Sequence, residues 1–206
     1  MSSTTKEVSR KYNITSFFYN FFEFPVEVLL FRKWRKELLK DVKGKVLELG
    51  VGTGKNLPYY NYKKVYLTAV DISNGMLEKA RKKAVSEKYP VEFKLLDSDK
   101  LPFKNNSFDY VVVTFVLCSV SNQLETLKEI KRVLKPKGKI VLLEHVLSKN
   151  KFIAFLEKMH NPVMKFFTGA NINRDTVGSI KQCGLKIVYE ENLALKDVFK
   201  KIVVKK

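Results

Sequence analysis

Val46-Leu47-Glu48-Leu49-Gly50-Val51-Gly52-Thr53-Gly54 passes from an apolar run straight into three alternating glycines. A buried strand ending in such a turn lets the backbone come close to a ligand lying at the start of the next helix, where free N–H groups favour a flat or charged partner. A dinucleotide-binding loop reads Gly-x-Gly-x-x-Gly, but here the sixth place is Lys55. The spacing is Gly-x-Gly-x-Gly preceded by Glu48, and by itself it is a weak signal. Its neighbours strengthen it.

From Lys43 onward, short runs rich in Val, Ile and Leu alternate with longer amphipathic stretches, the rhythm of βα units on a parallel sheet. The pattern predicts strands at Lys45–Leu49, Val65–Asp71, Val91–Leu96, Phe108–Phe115 and Gly138–Glu144. Helices are predicted at Asn74–Glu87, with Met76, Leu77, Ala80 and Ala84 on one face, and at Gln123–Val133. A further helical stretch, Phe152–Phe167, is expected to break at Asn161-Pro162, because proline disfavours a helical residue before it. Thr176–Cys183 reads as a last helix closed by Gly184, followed by Lys186–Tyr189 and Phe199–Val204 as a hairpin-like pair at one sheet edge. The fold class is α/β: a mostly parallel seven-stranded sheet with helices on both faces and an antiparallel strand near the C-terminus.

Acids mark the ends of successive strands. Asp71 closes the second, where a carboxylate can accept hydrogen bonds from both ribose hydroxyls of an adenosine. The plainer alternative is an acid at a helix start, since Ser73 and Asn74 follow. Asp97 ends the third strand, placed to accept from an exocyclic amine, with the Ser98 backbone N–H beside it for a ring nitrogen. Open α/β sheets bind ligands in the crevice where such strand ends meet.

Composition bounds the rest. The 206 residues suit one domain (43–206) with an N-terminal helical extension (1–42), and 45% hydrophobic with 29% charged residues is the balance of a folded chain. The net charge of +18 admits nucleic acid, an anionic membrane or a merely solvated surface, and the lysines are scattered rather than gathered in one arm. Cys118 and Cys183 match no zinc or redox spacing, and no metal site is expected. Without an apolar leader or a run of ~18 apolar residues, the expected location is cytoplasmic, with peripheral contact at an anionic membrane as a further expectation.

These motifs resemble those of the class I S-adenosylmethionine-dependent methyltransferases, in the branch containing ubiquinone and menaquinone methyltransferases. The resemblance rests on Leu47 to Gly54, Asp71-Ile72-Ser73 with Met76-Leu77, Leu101-Pro102-Phe103 followed by Asn106-Ser107-Phe108-Asp109, and Leu134-Lys135-Pro136-Lys137-Gly138. More narrowly, Thr114 to Val120, Leu143-Glu144-His145-Val146 and Gly169 to Arg174 resemble the subgroup of phosphatidylethanolamine N-methyltransferases and alkyl-thiol methyltransferases. Val51 departs from the pattern, where relatives carry cysteine or a small residue.

The resemblance implies a Rossmann-like fold with S-adenosylmethionine as cofactor. Glu48, Gly50, Gly52 and Gly54 would cradle its methionine part, Asp71 and Ile72 its ribose, and Met76, Asp97 and Ser98 its adenine. Thr114 and Phe115 would lie beneath the sulfonium. Tyr12 and Tyr19 resemble the paired tyrosines of a lid, and Asn171 and Arg174 fall in a subgroup motif and join the acceptor side.

His145, at the ligand-bearing end of the fifth strand, is the candidate for acceptor contact or proton removal, against the alternative of a histidine bonded only to nearby backbone. His160 is read as a lid or surface residue and Cys118 as packing. Phe17–Phe31, followed by Arg32, Lys33, Arg35 and Lys36, and Phe152–Phe167 are expected to wall an apolar acceptor pocket or rest on anionic lipid. The acceptor is expected to be a small molecule or lipid, an ethanolamine-type amine ahead of a quinone carbon and level with a thiol. A nucleic-acid substrate is disfavoured, because Thr114-Phe115-Val116-Leu117 stands where base-amine methyltransferases place Asn or Asp and two prolines.

Overall fold

A computed structural model describes residues 30–168 and 170–206, without the side chains of 163–168. Tyr12 and Tyr19 therefore lie outside the described residues. The elements are α1 (Arg32–Leu39), β1 (Gly44–Leu49), a 3-10 turn (Leu57–Tyr59), β2 (Val65–Asp71), α2 (Asn74–Ser86), β3 (Val91–Leu95), β4 (Phe108–Thr114), α3 (Gln123–Val133), β5 (Leu134–His145), α4 (Lys151–Thr168), α5 (Thr176–Gln182), β6 (Lys186–Ala194) and β7 (Phe199–Lys205).

The strands form one seven-stranded sheet in the order β3-β2-β1-β4-β5-β7-β6. Pairs among β1 to β5 are parallel, while β7 runs antiparallel to both β5 and β6. After β1 the chain steps outward to β2 and β3, then returns to β4 on the other side of β1. That reversal leaves a gap above the carboxyl ends of β1 and β4, the place where open sheets bind ligands.

Period-two alternation explains the two cores. Leu47, Val111, Val113 and Leu142 face one side and pack with Leu127, Ile130 and Val133 of α3 and Ile180 of α5. Val46, Val112 and Val141 face the other, against Leu38 and Leu39 of α1 and Leu77, Ala80 and Ala84 of α2. Strands buried on both faces read as continuous apolar runs, which is why the centre of the sheet was visible in the sequence. Side chains fix the helix starts: Ser73 accepts the Met76 N–H, Asn122 those of Leu124 and Glu125, and Asp175 that of Gly178. α1, although it falls within residues 1–42, is packed into the same core as β1 and β2.

Three expectations are corrected. β5 starts at Leu134 rather than Gly138, because Leu134 pairs with Phe108 across a bulge that accommodates Pro136. β6 runs to Ala194, and the chain turns back through Leu195 (φ 48) and Lys196 (φ 62), left-handed positions that normally signal themselves with glycine or asparagine. α4 continues through Pro162 instead of breaking. Pro162 is exposed, so the carbonyl its ring leaves unbonded one turn earlier can stay in water.

Candidate active site

A crevice opens above the carboxyl ends of the central strands. Gly50, Val51 and Gly52 form one wall, Asp71, Ile72 and Met76 the next, Asp97 and Ser98 a third, and Thr114, Phe115 and Val116 the last.

The turn after β1 is tied to the tip of β2. The Gly52 N–H donates to Asp71 Oδ2 (2.8 Å) and the Ser73 N–H to Oδ1 (2.9 Å), and the Ile72 N–H adds a third backbone donor to the same carboxylate. Burial pushes the Asp71 carboxyl up, against these backbone hydrogen bonds, which pull it down. Gly52 has φ 55, and a Cβ built there would meet no atom within 4 Å, so the turn presents bare backbone to open space. Gly54 (φ 79) does different work and does not line the crevice: its Cβ would stand 2.8 Å from Leu57 Cδ1 and 3.3 Å from Ala80 Cα. Its expected place against the cofactor is corrected to one of packing the turn on α2.

Glu48 is likewise absent from the crevice wall. It is 1% exposed, with Oε1 accepting from Asn56 Nδ2 (2.9 Å) and Oε2 from the Tyr60 hydroxyl (2.9 Å). Alternation along β1 sends Glu48 to the side of Val46, away from Leu47 and Leu49, which removes it from direct cofactor contact. Burial raises its carboxyl to about 7, opposed by the Tyr60 and Asn56 bonds and by nearby Arg35.

Arg35 and Asn56 were not anticipated. Arg35 Nη1 donates to Asn56 Oδ1 (2.8 Å) and to Thr114 Oγ1 (3.2 Å), and Asn56 Nδ2 also reaches Thr114 Oγ1 (3.1 Å). The network locks α1, the glycine turn and the end of β4 together, and Arg35 itself lines the crevice at 5% exposure. Reading Arg35 with Arg32, Lys33 and Lys36 as a basic surface for lipid was therefore wrong for this residue. The helical spacing of Phe31, Arg35, Leu38 and Leu39 was the signal for its inward face.

The turn after β4 contains no glycine. Phe115 takes φ 57, a left-handed conformation that a bulky residue holds only when its surroundings impose it. Its N–H donates to the Leu143 carbonyl, and Glu144 Oε1 accepts from Val116 N–H (2.9 Å) and Leu117 N–H (3.2 Å). Arg174 donates to the carbonyls of Leu117 and Val120 (2.6 Å each), and the Asn171 N–H to that of Cys118 (2.8 Å). Asn171 and Arg174 thus touch the turn from outside and are not on the crevice wall, which corrects their expected place beside the acceptor. Glu144 is fully buried, and burial raises its carboxyl to about 7 against the two N–H bonds. Burial also lifts the Cys118 thiol to about 12, as suits a packing residue.

His145 stands behind this wall rather than on it. Its ring meets Phe199 edge-on at 5.2 Å, and Phe199 contacts Phe115 at 6.2 Å. Burial lowers its pKa to about 4, leaving a neutral ring 3.7 Å from Glu157 Oε1. Direct acceptor contact by His145 is corrected accordingly. His160 is exposed and bonded to the Leu156 carbonyl within α4.

The other acid tip is open for a ligand. Asp97 Oδ1 accepts the Asp99 N–H (3.2 Å), leaving the second oxygen available, and Met76 is buried in the first turn of α2 as an apolar floor. Two carboxylates on neighbouring strand tips, bare backbone at Gly52 and an apolar floor between them match the ribose, methionine and adenine parts of an adenosyl sulfonium.

Residues 47–142 match the family model described as a methyltransferase domain. By that match the stretch 47–142 is a methyltransferase domain, on a fold shared with class I S-adenosylmethionine-dependent methyltransferases. S-adenosylmethionine is the methyl donor this domain match implies, and the crevice residues fit it. The chain is 30% identical over 151 residues to a ubiquinone/menaquinone biosynthesis C-methyltransferase of Geotalea daltonii, covering 68% of this chain and 63% of that one. It is 36% identical over 117 residues to a phosphatidylethanolamine N-methyltransferase of Cereibacter sphaeroides, covering 56% and 57%. The matched stretch thus spans less than two thirds of either relative. A crystal structure of a S-adenosylmethionine-dependent methyltransferase from Aquifex aeolicus shares the fold, with TM-score 0.62, 20% identity and coverage of 84% and 87%.

Proposed function

We propose that this chain moves a methyl group from S-adenosylmethionine to a small apolar or lipid-like acceptor, with the amine of a phosphatidylethanolamine-type headgroup as the favoured nucleophile. The observation that carries the reading is the pairing of Asp71 and Asp97 at adjacent strand tips beside the bare turn at Gly52. Bound S-adenosylmethionine supplies a methyl carbon on a positively charged sulfur, which an acceptor lone pair attacks in line while the carbon–sulfur bond breaks and its electrons pass to sulfur.

The protein's share is positioning and exclusion of water. Asp71, on the crevice wall, orients the ribose by accepting from its hydroxyls, and Met76 with the Asp97–Ser98 pair sets the plane of the adenine. Phe115, packed on Phe31 at 4.7 Å and on Phe199, makes an apolar wall beside Thr114 where the acceptor would approach. An amine attacks as its free base, so the proton leaves to solvent or to a carboxylate before transfer, and no covalent intermediate with the chain is needed.

Support for the amine comes from the subgroup motifs and the 36% identity to a phosphatidylethanolamine N-methyltransferase. A quinone carbon is the second reading, favoured by the longer match to the C-methyltransferase of Geotalea daltonii. A thiol acceptor rests on subgroup motifs alone. Release of S-adenosylhomocysteine across a panel of phosphatidylethanolamine, alkyl thiols, demethylated quinones and tRNA separates these. Turnover on phosphatidylethanolamine well above the others is the expected result, turnover on quinone alone favours the second reading, and turnover on tRNA alone contradicts both.

A further inference from the structure

The first turns of α4 carry large apolar residues on the outside. Phe152, Phe155, Leu156 and Met159 are 70%, 58%, 36% and 58% exposed, and their three- and four-residue spacing puts them in one stripe. The opposite face holds Glu157, which is 7% exposed and accepts the Ser148 N–H (2.9 Å). Lys151 and Lys158, seven residues apart, flank the stripe on one side; both are exposed and make no ion pair among the described residues. A monomer in water gains nothing from such a stripe, and exposed apolar patches of this kind mark contact surfaces.

We propose that α4 is a membrane-docking helix that lies in the interface of an anionic lipid bilayer, its aromatic stripe inserted and its lysines at the headgroups. The proposal deepens the reading of a lipid-like acceptor and rests on it for its purpose. Charge selects this occupant over two others. The first 29 residues of the chain hold Lys6, Arg10 and Lys11 against Glu7, Glu23 and Glu27, a balanced set with no net charge to offer the lysines. A second copy brings the same lysines and a net charge of +18, so the two stripes would meet under mutual repulsion. An anionic bilayer answers both the apolar stripe and the basic flank.

The position also suits delivery of a lipid headgroup. α4 follows β5 at the end of the sheet where the crevice opens, and its buried face reaches the crevice wall through Glu157, His145, Phe199 and Phe115. A bilayer under α4 would present headgroups at that end of the molecule.

The test is co-sedimentation of the full chain at low salt with vesicles of phosphatidylcholine alone and of phosphatidylcholine with phosphatidylglycerol. Binding is expected only to the anionic vesicles and to weaken with added salt. Lys151→Gln with Lys158→Gln is expected to lower the partition about thirtyfold, and Phe152→Ser with Phe155→Ser about tenfold or more. Equal binding to neutral vesicles, or binding untouched by both pairs of substitutions, overturns the proposal.

A spin label at Phe155→Cys, in a chain with Cys118→Ser and Cys183→Ser, checks the stripe itself. It is expected to be mobile without lipid and immersed with anionic vesicles. Immobility without lipid shows that the chain's own N-terminal segment or a second copy covers the stripe, and equally overturns the proposal. Calorimetric binding of S-adenosylmethionine by the same samples keeps the readings apart: a chain that binds it but ignores vesicles fails only the docking, and the reverse result fails only the methyltransferase reading.

Discussion

Two turns border the crevice, and they are held in opposite ways. The turn after β1 is fixed by its neighbours: Gly50 and Val51 donate to the Val70 carbonyl on the adjoining strand, and Gly52 donates to Asp71 at that strand's tip. The turn after β4 has no glycine, puts Phe115 at φ 57, and is held by Glu144 and Arg174 from far along the chain. One turn is specified by residue types that tolerate an unusual backbone, the other by partners that impose it. A left-handed bulky residue costs about 1–3 kcal/mol, so the second turn keeps its shape only while its clamps are intact.

The largest effect is expected at the clamp. Glu144→Ala leaves the Val116 and Leu117 N–H groups without an acceptor in the interior, at about 1–3 kcal/mol each. Urea denaturation should show a loss of about 2–6 kcal/mol, while Glu144→Gln, which keeps a carbonyl acceptor, should lose far less. Equal stability of the alanine variant and the parent would show that the turn holds itself.

The ring behind that turn gives a pH signature. The folded chain keeps His145 neutral down to about 4, whereas the unfolded chain takes up a proton near 6.5. Stability contributed at neutral pH is therefore lost as pH falls from 6.5 toward 4, by up to about 3 kcal/mol. His145→Asn should flatten this limb of the stability–pH curve relative to the parent; parallel curves would mean the ring accepts a proton in the fold.

At the glycine turn the contrast is smaller and splits by position. Gly54→Ala drives a methyl toward Leu57 and the backbone of Ala80, with an expected cost of about 1–3 kcal/mol in stability. Gly52→Ala meets open space and carries only the left-handed strain, about 1–2 kcal/mol, yet its methyl enters the cradle, so cofactor affinity should fall with little unfolding. Thermal melts with and without S-adenosylhomocysteine distinguish the two. If both variants lost stability and affinity alike, the turn would not divide its work between packing and binding.

The same contrast explains what the sequence could reveal. Val46 to Gly54, Asp71 and Asp97 are local signals: an apolar strand, a turn residue and an acid at a strand end, all read without knowing the fold. Glu48 and Arg35 needed one step more. Alternation along β1 and helical spacing in α1 give the face each occupies, but not that Asn56 joins them into one buried network. The clamp on the β4 turn was out of reach, since Glu144 and Arg174 meet Val116 to Val120 only after β5 and the segment before α5 have packed. His145 looked catalytic because β5 ends at the crevice end of the sheet. Its ring instead turns toward Phe199, which the edge strands bring alongside through pairing that no local pattern announces.

Calorimetric titration with S-adenosylhomocysteine tests the central claim, run on the parent chain and on Asp71→Asn. The account predicts binding by the parent and a loss of roughly tenfold to a hundredfold in the variant, the range for hydrogen bonds to a charged group made neutral. No heat of binding in the parent, or equal affinity in the two proteins, would contradict it.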